Sequence, residues 1–325
     1  MIARRRLLAL LPAALSYPSV LGAQSAATSW PTRPVRYIEL FAAGTGVDIA
    51  SRTWCAAMAE VTGQQFVVDN RVGAGGVIGT TAIVRAPPDG YTIGLSGIGQ
   101  LAIAPTLYAR LPIDVSRDMA LISGLWRQSL LLLANNDLPV RDVAELIALL
   151  RREPVRHLYG HGGQGTSLHL AMELFKARAG VDIGAVAYTG GRIQLDLIAG
   201  RVQLLCLLFS GGIAGVRDGK FRALAVMSPE RSPFAPDIPA MGEYLPGFDV
   251  SSWAVIAGPA GLQPALVERM HRLSLQALAR PELVQRYHQA GNTPWPAGPE
   301  ELAAYRIQQE ALLAPIIRAS GARIE

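Results

Sequence analysis

Two glycine-rich stretches carry the residue types best suited to holding an anion. The first is Phe41-Ala42-Ala43-Gly44-Thr45-Gly46-Val47-Asp48, and the second runs from Gly160 and His161 through Gly163, Gln164, Gly165 and Thr166 to His169. Each follows a strand-like segment and precedes a helical one. Glycine lets backbone approach a ligand closely. A helix start leaves N–H groups unpaired and carries partial positive charge. Together these features suit a carboxylate. The same residues also suit two tight turns capped by Thr45 and Thr166, and the two readings are equally open at this level. Asp48 fits either a ligand contact or a first-turn acid matched to the helix dipole. A third loop, with Ser96, Gly97 and Gly99, ends another strand.

Other chemistries fit less well. The glycines of residues 73–79 are spaced G-x-G-G-x-x-G, and no acidic residue follows about twenty positions on, so a dinucleotide fingerprint is not met. His161-Gly162-Gly163 is similar to an oxyanion-hole motif, but Gly94-Leu95-Ser96-Gly97-Ile98 misses the last glycine of a serine elbow. His157, His161 and His169 lack an acid or cysteine to complete a metal set. No catalytic residue, metal or cofactor is therefore expected.

These loops need strands behind them and helices after them, and the chain supplies both alternately. Strand-like runs occupy residues 35–41, 65–68, 91–96, 130–134, 157–159, 185–188, 202–209, 223–227 and 248–257. Helical patterns occupy residues 48–61, 80–86, 140–151 and 168–179, followed by a helical tail. This order predicts an α/β fold with mostly parallel strands. The length of 325 residues favours two lobes.

The first 27 residues read as an export leader: Arg4-Arg5-Arg6, a short apolar stretch, then small residues. The adjacent arginines resemble a twin-arginine signal. Losing the leader takes the formal charge from +5 to +2, which weakens any argument for nucleic acid from the basic pI. Half of the residues are apolar, yet no later stretch is long enough to span a bilayer. Export would permit a disulfide between Cys55 and Cys206, but one pair so far apart in sequence does not establish one, and their apolar surroundings favour two buried thiols.

Several ordered motifs then make the chain similar to a known family. They are Trp30-Pro31-Thr32-Arg33-Pro34-Val35-Arg36, Phe66-Val67-Val68-Asp69-Asn70-Arg71, Gly73-Ala74-Gly75-Gly76, Pro87-Pro88-Asp89-Gly90-Tyr91, Gly165-Thr166-Ser167-Leu168-His169 and Gly219-Lys220-Phe221-Arg222-Ala223. From about Trp30 onward the chain resembles the periplasmic Bug-type receptors of tripartite tricarboxylate transporters. That resemblance implies a two-lobed, periplasmic-binding-protein type II-like α/β fold with two crossover segments and a C-terminal helical tail on the first lobe. Residues 30–128 with 254–325 would form one lobe and residues 129–253 the other. It further implies a periplasmic monomer that catalyses nothing and closes by hinge motion on a small carboxylate. Transporter membrane subunits, or alternatively a sensor kinase, would be its partners.

The implied ligand residues are Phe41, Ala42, Gly44, Thr45, Gly46, Asp48, Ser96, Gly97, Gly163, Gln164, Gly165, Thr166, His169, Tyr188, Thr189, Gly190 and Leu207. Two departures from the family pattern bear on the ligand. Thr189 stands where a lysine is usual, and Leu207 where an aspartate is usual. Leucine cannot pair with an ammonium, so a carboxylate without an amino group is expected.

Overall fold

The computed structural model describes residues 29–161, 166–188 and 192–325. The expected leader therefore lies outside the described residues, as do Gly163, Gln164, Gly165, Thr189 and Gly190. The first expected strand forms as β1 (Val35–Glu39), with Val35, Tyr37 and Ile38 fully buried. It leads into helix α1 (Gly46–Thr62), capped by Thr45 and closed by Gly63 at φ 70°. Parallel partners β2 (Phe66–Asn70) and β3 (Thr92–Gly97) flank β1. Between them, a 3₁₀ turn at Ala74–Gly76 precedes α2 (Val77–Val84). Gly76 sits at φ 93°, and a Cβ there would meet Gln100 Nε2 at 2.4 Å, which explains a glycine without invoking a nucleotide. After β3 comes a π-helical turn, Gly99–Ile103, and the short helix α3 (Ala104–Leu107).

The strand expected over residues 130–134 is the end of a much longer one, β4 (Met119–Ala134). Its first part pairs antiparallel with β9 (Ser251–Pro259), from Met119 opposite Pro259 to Ser129 opposite Ser251. Irregularities fall between Leu121 and Ser123 and between Gly124 and Trp126. Bulges of this kind break the period-two pattern, which is why this half was not legible in the sequence. From Leu130 onward β4 pairs instead with β7 (Leu204–Leu208) and β8 (Arg222–Val226). Its run Leu130 to Ala134 is fully buried on both faces. Leu130 and Leu132 pack with Tyr159, Phe175 and Cys206, and Leu131 and Leu133 with Phe209 and Phe221.

The second set of elements also contains α4 (Val143–Arg152), β5 (Leu158–His161), α5 (Ser167–Ala179), β6 (Gly184–Ala187), α6 (Ile193–Ile198) and α7 (Phe209–Arg217). Strands β5, β6 and β7 are parallel. Helix α7 was not expected, because Gly211, Gly212 and Gly215 dilute its helical signal. The chain then returns through β9 to α8 (Pro264–Leu278), α9 (Pro281–Gln289), β10 (Asn292–Pro294) and α10 (Pro299–Ala319). Pro281 and Pro299 open their helices. The tail closes on α3, where Ala109 N–H donates to Ile324 O at 2.8 Å.

The described strands form one curled sheet in the order β2-β1-β3-β9-β4-β7-β5-β6, with β8 and β10 also on β4. This is a two-lobed α/β architecture of the type II-like kind, with β4 and β9 as the two crossover segments. Cys55 and Cys206 are free and lie in separate cores, and burial pushes both thiol pKa values up.

Candidate functional site

A cavity of about 460 Å³ opens where the carboxyl ends of β1 and β3 face the start of α5 and the end of β7. Phe41, Ser96, Gly97 and Thr166, all expected from the sequence, line it. So do Val47, Gln100, Ser167, Leu168 and the crossover residues Trp126 and Trp253, which were not expected. Among the described residues, the lining contains no Lys, Arg, Asp or Glu side chain.

Two helices begin at this cavity. In α1, Thr45 Oγ1 accepts from Asp48 N–H at 3.3 Å. In α5, Thr166 Oγ1 accepts from His169 N–H at 3.3 Å. Both threonine caps are therefore formed. Each cap satisfies one N–H of its first turn, and the N–H groups at Val47 and Leu168 have no carbonyl four residues back within their helices. A Cβ built on Gly46 would stand 3.7 Å from Ser210 Oγ of α7, so the two halves of the molecule nearly touch at this edge.

The rest of the first loop is occupied with its own structure. Asp48 is buried and takes the Gly44 N–H at 2.9 Å, Arg52 Nε at 2.9 Å and Asn70 Nδ2 at 2.8 Å. Burial by itself would raise its pKa, but the hydrogen bonds from Arg52, Asn70 and Gly44 outweigh this and hold it below the ordinary value. Asp48 thus also holds the first loop to α1 and β2, a role beyond the two that its position in the sequence offers. Ala42 and Gly44 are exposed, and Ala42 O accepts from Thr45 Oγ1 at 2.8 Å.

Glu39, fully buried at the end of β1, accepts from the N–H groups of Leu40 at 3.0 Å and Phe41 at 3.1 Å. Burial pushes its pKa up from 4.5 to about 6. A raised carboxyl pKa stabilises the fold fully below pH 4.5, and this stabilisation is lost as pH rises through about 6. Urea titrations should show Glu39→Gln gaining up to about 2 kcal/mol relative to the native chain between pH 4.5 and 7. A pH-independent difference between the two would refute this.

The second loop positions its histidines differently from a metal site. His161 and His169 are both buried, with ring centroids 4.5 Å apart. Burial first, then the neighbouring His161, lowers the His169 pKa to about 4, so His169 is neutral at pH 7 and offers no cation to a ligand. Among the described residues no group of three metal-ligating side chains occurs. Ser96 is fully buried, and among the described residues its Oγ has no hydrogen-bond partner.

Ala42, Gly44, Thr45, Gly46, Asp48, His169, Tyr188 and Leu207 are not on the cavity wall. Tyr188 does not line the cavity, and its hydroxyl donates to Asp196 Oδ2 at 3.0 Å. Leu207 packs with the Leu131 and Leu133 side of β4, and Leu208 is the residue on the cavity wall. Side chains alternate faces along a strand, so an alignment off by one residue selects the wrong face. The replacement is still a leucine, and the expectation that no acid stands at this point of the wall is unaffected.

Comparison with known proteins agrees with this geometry. Residues 50–322 match the model of the tripartite tricarboxylate transporter family receptor. Rpa4515 of R. palustris, solved with adipate, is 30% identical with a TM-score of 0.81, covering 91% of this chain and 100% of that one. The periplasmic binding protein BugD is also 30% identical, with a TM-score of 0.77 and coverage of 91% and 100%. MatC (Rpa3494) from Rhodopseudomonas palustris, with bound malate, is 27% identical with a TM-score of 0.76, covering 89% of this chain and 100% of that one.

Proposed function

Because this chain belongs to the tripartite tricarboxylate transporter receptor family, we propose that it captures a small carboxylate lacking an amino group and delivers it to transporter membrane subunits. The family is one of periplasmic solute-binding receptors, not enzymes. The observation that carries the ligand class is the convergence of two helix starts on a cavity whose described lining has no charged side chain. Unpaired N–H groups and helix dipoles attract a carboxylate. With no acid in that lining, an ammonium would be buried unpaired, at a cost of several kcal/mol.

Phe41, Gly46, Ser96, Gly97 and Thr166, with Gly163, Gln164, Gly165, Thr189 and Gly190, form our proposed contact set. The lobes are assigned to residues 30–128 with 254–325 and to residues 129–253. Hinge motion at β4 and β9 closes them on the ligand, which stabilises the closed state by touching both lobes. The leader at residues 1–27 exports the chain. The binding of adipate by Rpa4515 and of malate by MatC supports this class of ligand.

Calorimetric titration of the mature chain tests the reading. Adipate or malate should bind, and aspartate and glutamate should not. Tight binding of the amino acids, with none of the amine-free acids, would overturn it.

A further inference from the structure

We propose that the C-terminal tail closes an apolar arm of the cavity, with Ile324 in its wall, and that this arm selects amine-free carboxylates with an extended apolar body over acids charged at both ends. This deepens the carboxylate-receptor reading and rests on it.

The cavity of about 460 Å³ has the size of a pocket for a drug-sized molecule, so a four-carbon acid leaves much of it unfilled. Five of its lining residues, Ile98, Ile103, Leu107, Tyr108 and Ile324, belong to a single apolar cluster. They come from the end of β3, the π-helical turn, the end of α3 and the tail, apart from the helix starts that face an anion. The polar side chains among them are engaged with backbone. Tyr108 Oη donates to Ala74 O at 2.8 Å, and Gln100 Nε2 donates to Gly75 O at 2.7 Å.

The tail reaches this place through its backbone. Ile324 N–H donates to Leu107 O at 2.9 Å, and Ile324 O accepts from Ala109 N–H at 2.8 Å. The resulting bridge sets Ile324 beside Tyr108. Two residues earlier, Ala322 is buried in the same cluster and anchors the tail. Ile324 itself is only half-buried. A half-buried side chain at the end of the chain can change with little effect on folding.

Charge decides between the two kinds of acid. The described lining has no cationic side chain to meet a second carboxylate. The members of the contact set outside the described residues, Gly163, Gln164, Gly165, Thr189 and Gly190, carry no charge either. A second carboxylate pushed into the arm therefore loses its water without gaining a counter-charge. A methyl or methylene group in the same place gains from leaving water.

Hexanoate and adipate share a six-carbon chain and differ by one carboxylate, so the ratio of their Kd values reads the arm. By calorimetry at pH 7, the native chain should bind hexanoate about tenfold more tightly than adipate, or better. Ile324→Ala removes apolar wall and should weaken hexanoate about fivefold and adipate less. Ile324→Lys puts an ammonium on that wall and should move the ratio about tenfold towards adipate. A variant that merely loosens the fold weakens both acids alike and leaves the ratio where it was. Adipate binding as tightly as hexanoate to the native chain, or a ratio unchanged in both Ile324 variants, would overturn the proposal. Binding of neither acid would instead sink the carboxylate-receptor reading on which it rests.

Discussion

Replacing Ser167 with aspartate is expected to abolish carboxylate binding while leaving the chain folded. Ser167 is the first residue of α5, just after the Thr166 cap, and it lines the cavity. An acid in a helix first turn is favoured by the dipole, so Ser167→Asp should unfold at or slightly above the native temperature. The same carboxylate competes for the N–H groups that hold the ligand and repels it at close range. Like-charge juxtaposition costs several kcal/mol, so adipate affinity should fall about 100-fold or more. Calorimetry together with thermal unfolding separates the two effects. Native affinity in a folded Ser167→Asp chain would mean that the start of α5 is not where the carboxylate sits.

Replacing Asp48 with alanine is expected to cost about 3 kcal/mol at pH 7. The substitution leaves the Gly44 N–H, Asn70 Nδ2 and Arg52 Nε without their buried acceptor. Arg52 is itself half exposed, so solvent replaces part of its share and the estimate sits at the low end for a broken buried pair. The pH dependence has a definite sign. The folded pKa of Asp48 is lowered, so its contribution is present above the ordinary value of 3.8 and is lost as pH falls through the folded value. Urea unfolding of native and Asp48→Ala chains should therefore differ strongly at pH 7 and converge in strong acid. A difference that persisted in strong acid would show that Asp48 acts through packing and not through its charge. The window lies below that of Glu39, which acts with the opposite sign between about pH 4.5 and 6.

The parts of the site that the sequence determined are the local ones. Thr45 and Thr166 cap their helices through bonds that span three residues, and Gly63 and Gly180 end them in the left-handed conformation. Such geometry is written in adjacent residue types, so both helix starts were legible without coordinates. The alternation of strands and helices was legible for the same reason, and the absence of an acid at Leu207 or Leu208 needed only residue identity.

Tertiary structure decided which groups those loops meet. Whether the N–H groups of the first loop face a ligand depends on Glu39 and Asp48, which claim those of Leu40, Phe41 and Gly44. That outcome follows from burial, which spacing does not encode. The difference between Leu207 and Leu208 is one step of the pleat, and pairing with β4 sets it. Trp126 and Trp253 are far apart in sequence and come to the same cavity only because β4 and β9 pair through a bulged register. Long-range strand pairing therefore decides the wall of the cavity, whereas short-range capping decides the two helix starts at its edge.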